Sequence, residues 1–150
     1  MKQKISTKKI ESLCQKTSLS LTKKRRDILA ILLDENQPLS AYEIVEKFNE
    51  RFQQSIPAMS VYRILDVFID AGLVHKLDSI NSYIVCEHLS CDHEHSNAQF
   101  LICDVCHSVE ELTISDQTHE LITTGINKVG FKMNSLQFEL HGTCQTCVER

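Results

Sequence analysis

Between Tyr83 and Cys106 the chain reads YIVCEHLSCDHEHSNAQFLICDVC, a stretch that holds four of the seven cysteines and three of the seven histidines. It ends in the pair Cys103-Asp-Val-Cys106, and a second pair, Cys144-Gln-Thr-Cys147, lies near the C-terminus. A C-x-x-C turn delivers two thiolates from one tight knuckle. Two knuckles supply the four sulfurs that Zn2+ takes at about 2.3 Å in a closed, tetrahedral structural site. Disulfides or redox pairs are the rival reading. The opening MKQKISTKKI has no apolar signal core, so the chain is expected to be cytoplasmic and reducing, where paired cysteines bind metal more often than they crosslink.

The other ligand-type residues are His75, Cys86, His88, Cys91, His93, His95, His107, Glu111, His119 and His141. Taken singly, each is an ordinary surface or packed residue. As a cluster around residues 86–99 they form a mixed imidazole, thiolate and carboxylate set for a second ion. Thiolate in that set favours zinc over iron or manganese. Cys14 stands apart and reads as a buried thiol. An enzyme is disfavoured, because catalytic zinc needs an open coordination position beside an acid/base group and no motif of that kind is present.

These residues need elements to position them. A helical segment is expected over residues 6–17, with Ile10, Leu13 and Cys14 on one face. Thr22 is placed to cap KKRRDILAILLDE, whose Ile28, Leu29, Leu32 and Leu33 recur at helical spacing. The basic run 23–26 is either a solvated first turn or a set of phosphate contacts. After Pro38, Ser40 and Glu43 fit a capping box, and Leu39 with Ile44 a hydrophobic staple. Ile44, Val45, Phe48 and Phe52 face a core. A further helix begins at Pro57-Ala-Met-Ser60 and stops at Gly72. Two such helices joined by a short linker form a helix-turn-helix.

Beyond Gly72 the period becomes alternating. Residues 74–78 and 83–86 read as a hairpin, so the first part of the chain is expected to be a winged helix. The remainder reads as strand (100–103), strand (109–114), helix (116–129) and strand (133–140). In that helix Ile122, Ile126 and Val129 form an apolar stripe that Gly130 ends. The expected class is α+β, with a winged-helix DNA-binding domain over 1–84 and a small α/β, zinc-stapled dimerisation domain over 85–150. The net charge of −4 is unevenly spread: residues 1–82 carry +3 and residues 83–150 carry −7. That contrast fits two domains with different partners, the second too small to rely on its apolar core alone. No apolar run approaches a membrane span.

On the second helix of the pair, Met59, Ser60, Tyr62 and Arg63 occupy the turns that enter a major groove. With Val61, Leu65 and Phe68 inward, Tyr62, Arg63 and Asp66 turn toward a partner or solvent. A charge of +3 is small for a DNA binder, so affinity is expected to depend on dimerisation and local patches.

The segments SAYEI, SVYRILDVFIDAGLVHKLDSINSYIVC, FLICDVCHSVEEL and FELHGTCQTC resemble the ferric-uptake-regulator (Fur) family, most of all its zinc-uptake members. The resemblance covers nearly everything after Leu21. It implies a homodimeric, zinc-responsive transcriptional repressor that binds double-stranded operator DNA, with two zinc ions per subunit and no small-molecule substrate. By position, Cys103, Cys106, Cys144 and Cys147 fall on its structural site. His75, Cys86, His95 and Glu111 fall on its regulatory site, and Tyr42 and Arg63 on DNA-contacting positions. The segment before Cys103 is one residue longer than the family pattern, so His93 competes with His95. Ala98-Gln99-Phe100 replaces the His-rich, aspartate-bearing stretch of iron-type members. The alternatives are a sensor of iron or manganese, or a zinc storage or delivery protein. A regulatory ion joining wing, hinge and second domain would fix the spacing of two recognition helices, which couples metal to DNA.

Overall fold

The computed structural model describes residues 11–12, 14–15, 18–35, 37–87 and 98–150. The chain divides into two compact units, Met1–Cys91 and Asp92–Arg150. His88, Cys91, His93 and His95 lie outside the described residues, as does most of the helical segment expected over 6–17. Glu11, Ser12, Cys14 and Gln15 are helical, and Cys14 is buried.

In the first unit, helix α1 (Lys23–Asp34) starts at Thr22, whose hydroxyl accepts the Arg25 N–H at 3.4 Å. It buries Ile28, Leu29, Ile31 and Leu32. Helix α2 (Ala41–Phe52) opens on a complete capping box. Glu43 N–H donates to Ser40 Oγ at 3.2 Å, and Ser40 N–H returns to the Glu43 carboxylate at 2.7 Å. The Ser40 bonds hold the Glu43 carboxyl below its ordinary value. Leu39 and Ile44, the staple positions, are both buried in the same cluster. Helix α3 (Ala58–Asp70) buries Val61, Leu65 and Phe68. It ends in a Schellman turn: Leu73 N–H reaches Phe68 O at 2.9 Å and Gly72 N–H reaches Ile69 O at 2.9 Å. Gly72 has φ 70°, a conformation that disfavours any residue with a Cβ.

The wing is the antiparallel pair β1 (Val74–Leu77) and β2 (Ser82–Val85), with Leu77 opposite Ser82. A 3-10 turn at Asp78–Ile80 and Asn81 at φ 47° close it; asparagine tolerates that left-handed backbone better than most residues. Leu39 and Tyr83 exchange N–H···O bonds of 3.0 and 2.8 Å, which ties the residue before the α2 cap to the wing.

In the second unit the sheet order is β4-β3-β5. Central β3 (Ala98–Cys103) runs antiparallel to β4 (Val109–Thr113) and parallel to β5 (Glu139–Gly142). Between β4 and β5 lies α4 (Asp116–Lys128), capped by Ser115 Oγ accepting Thr118 N–H at 3.2 Å. Gly130 follows it at φ 69°. A short helix, α5 (Gln145–Val148), ends the sheet unit. Helix α4 buries none of its residues; Ile122 and Ile126 are half-buried, whereas Val129 is exposed.

The last strand differs from the expectation of residues 133–140, for a definite reason. Gln99 is fully buried on β3 and donates Nε2–H to Leu136 O at 3.3 Å, while its Oε1 accepts Phe138 N–H. A side-chain amide thus occupies the place of a strand neighbour over 136–138. The backbone ladder begins only where Phe100 N–H reaches Phe138 O at 2.9 Å. Gln99→Leu removes both bonds and leaves that backbone unsatisfied. We expect a loss of about 1–3 kcal/mol in urea unfolding of the full chain, read against a Gln99→Glu control.

Candidate metal centres and nucleic-acid surface

The sulfurs of Cys103, Cys106, Cys144 and Cys147 all lie within 4.8 Å of one another. Their assembly follows from the sheet. In the parallel β3–β5 register Cys103 stands opposite Gly142, and Asp104 N–H reaches Gly142 O at 2.8 Å. This carries the second knuckle to the end of β3. The first knuckle closes through Cys103 N–H to Ser108 O and His107 N–H to Cys103 O, both 2.9 Å. His107 takes a left-handed φ of 59°. His141 Nδ1 lies 2.8 Å from Asp104 Oδ1, which adds a side-chain tie between the knuckles.

The donor chemistry fits a closed tetrahedral zinc site. Cys144 N–H donates to Cys103 Sγ at 3.3 Å. With the Cys106 N–H it holds the Cys103 thiol down at about 6, so that it is a thiolate near neutral pH. The Cys106 thiol is lowered too, first by the Ser108 hydroxyl 3.2 Å away. Cys106 and Cys144 sulfurs approach to 3.7 Å. Cys147 is pushed up to about 12, first by hydrogen bonding to Cys144 and then by burial. Like charges cannot accumulate here without a cation, so the Cys147 proton must leave when an ion enters.

A second group of donors lies in the first unit. Cys86 follows β2, is fully buried, and gives its N–H to Leu73 O at 3.0 Å. His75 on β1 stands opposite Ile84. One more step along the ladder puts Cys86 opposite Leu73, so His75 and Cys86 share a face as diagonal neighbours. Their donor atoms lie within 4.8 Å. Glu111 is half-buried on β4 of the second unit, opposite Phe100.

The residues expected to contact nucleic acid divide by exposure. Tyr42, the second residue of α2, is 64% exposed, and Arg63 is exposed on α3. Ser60 is half-buried. Tyr62 departs from the outward orientation expected of it. It is half-buried and packs against the first unit's apolar cluster, because its position borders the Val61/Leu65 seam. In the basic run, Lys23 pairs with Asp27 at 3.9 Å and Arg25 donates to Ser20 O at 2.7 Å. Lys24 and Arg26 face solvent.

Sequence reasoning did not single out the apolar surface of the second unit. Leu101 stands opposite Leu140, on the same sheet face as Leu112, and all three are exposed. Leu121, Val129 and Phe131 are exposed in and after α4. Along β3 Leu101 alone is exposed, and sequence pattern does not mark it because the strand is nearly all apolar. A surface this rich in large apolar groups marks an interaction site.

A model of the ferric uptake regulator family matches residues 16–141. The zinc uptake regulation protein of Escherichia coli (strain K12) is 34% identical over 139 residues, 93% of this chain and 79% of its own length. A solved zinc uptake regulator complexed with zinc and DNA superposes with a TM-score of 0.81 at 30% identity, covering 96% of this chain and 97% of that one. The crystal structure of holo XcZur gives 0.78 at 33%, covering 95% and 96%.

Structural zinc sites contribute about 10–16 kcal/mol of apparent binding energy. Cys103→Ser is therefore expected to lose one zinc per chain and to unfold or dissociate at a lower temperature, measured by metal analysis and calorimetry. A folded Cys103→Ser variant with unchanged zinc content would overturn the assignment. Loading the metal-free wild type near neutral pH is expected to release protons, Cys147 giving a full one and Cys103 little. Zinc affinity should fall on acidification, since protons compete for the same sulfurs.

Proposed function

The chain belongs to the ferric uptake regulator family, and from that premise we propose that it is a zinc-responsive transcriptional repressor. It binds operator DNA as a metal-loaded homodimer and controls zinc uptake. The observation that carries this reading is the His75–Cys86 pair. A metal-ligand pair built into the wing hairpin lies in the same compact unit as α3 and its exposed Arg63. A buried thiolate donor beside an imidazole selects zinc over iron or manganese.

In this reading each subunit takes two zinc ions. Cys103, Cys106, Cys144 and Cys147 hold the structural one. His75 and Cys86 hold the regulatory one, with Glu111 and His95 (or its neighbour His93) completing the set from the dimerisation domain. Residues 1–84 serve as the DNA-binding domain and 85–150 as the dimerisation domain. The exposed leucines of the second sheet and the apolar face of α4 support self-association. Tyr42, Ser60, Tyr62 and Arg63 supply the DNA contacts, Tyr62 through its outer edge.

Metal acts here only by preferring the DNA-competent arrangement of the dimer. Moving a dimer from mostly incompetent to mostly competent takes about 5.5 kcal/mol of differential affinity. His75 and Cys86 contribute to that preference, and the structural cysteines do not.

The deciding experiment is operator binding measured at controlled free zinc, with the structural site filled throughout. The wild type is expected to bind duplex DNA only above a zinc threshold. Cys86→Ser should raise that threshold and weaken discrimination against manganese. Tight zinc-dependent binding by Cys86→Ser would move the sensor to His88, Cys91 and His93, and zinc-independent binding by the wild type would end the repressor reading. Arg63→Ala should keep both zinc ions and the dimer while losing about 1–3 kcal/mol of operator affinity at fixed salt.

A further inference from the structure

The exposed residues of α3 form one stripe. Met59, Arg63, Asp66 and Asp70 are the positions of that helix open to solvent, opposite the buried Val61, Leu65 and Phe68. Their spacing of four, three and four residues keeps them on a single helical face. Along the stripe the chemistry changes from apolar to cationic to two carboxylates. A duplex is a polyanion, so the Asp66 and Asp70 end is repelled and the Met59–Arg63 end is the part that can approach it. This polarity suits a helix that enters a groove by its first turns.

Met59 is 62% exposed. Among the described residues of the first unit, it and Tyr42 are the large apolar side chains left this open, and each is the second residue of a helix of the helix-turn-helix pair. Tyr42 carries a hydroxyl and can bond a phosphate. Met59 has no donor to offer and only a weak sulfur acceptor, so its contact with DNA must be apolar. In the major groove the apolar feature of a base edge is the C5 methyl of thymine.

We propose that Met59 is a specificity-determining residue that reads a thymine methyl in each half-site, beside the base read by Arg63. The inference rests on the DNA-binding reading above and deepens it. Four residues of helix rise about 6 Å, and base pairs stack about 3.4 Å apart. The thymine therefore lies about two base steps from the base met by Arg63. Met59 is flexible and unbranched, which lets it follow the methyl without strain in the helix.

The test is selection of binding sites from a randomised duplex pool by the full-length, zinc-loaded protein. The wild type is expected to enrich a two-fold motif with a thymine at one symmetric position. Met59→Ala should lose the preference at that position alone, Met59→Leu should keep it, and Arg63→Ala should relax a different position. Replacing that thymine by deoxyuridine should weaken wild-type binding about fourfold per half-site, the worth of one buried methyl group. The same replacement should leave Met59→Ala unaffected. An unchanged motif from Met59→Ala, or equal wild-type affinity for the uridine probe, overturns the assignment of Met59 alone. Failure of the zinc-loaded wild type to enrich any motif overturns the repressor reading and this inference with it.

Discussion

The parallel pairing of β3 with β5 is the constraint on which the second unit depends. It brings Cys144, 38 residues beyond Cys106, to the end of β3 where the first knuckle turns. Its apolar support is thin: Ala98, Phe100, Ile102, Val109 and Leu136 are buried, and a glutamine lies among them. A unit this small is marginal on burial alone. Four sulfurs sharing one ion would convert a weak sheet edge into a closed joint, and a cation there would favour the deprotonated form of Cys147, whose thiol is otherwise held up.

Much of this was legible in the sequence because it depended on local chemistry. Ser40 and Glu43 predicted a cap that needs only neighbouring atoms, and Gly72 predicted a turn that its φ requires. The C-x-x-C pairs announced themselves for the same reason, since a knuckle is a local device. What was not legible depended on remote partners. Gln99 displaced the start of β5 by bonding residues almost forty positions away. Tyr62 turned half inward because the helix seam is broader than three residues, and periodicity does not give its width.

The two units divide the chemistry between them. In the first, among the described residues, large apolar groups are inside except Tyr42 and Met59, which stand exposed at two helix starts. In the second, leucines face outward from both sheet and helix while charge is acidic. An acidic, apolar-faced unit repels nucleic acid and favours its own kind, and a mildly basic one does the reverse. Such segregation would let one chain self-associate and meet a polyanion without either surface competing for the other's ligand.

The strand order also dictates a sequence of assembly. β3 and β4 are joined by a short turn, so their antiparallel pair closes over a small loop and forms early. That hairpin already contains Cys103 and Cys106. β5 must travel back across the intervening helix to pair in parallel, a non-local step that is intrinsically slow. A zinc centre held by the two knuckles would therefore be built as a two-sulfur claw that waits for its other half. An ion captured by the claw would shorten the search for β5, so metal supply would enter the rate at which the unit matures as well as its final stability.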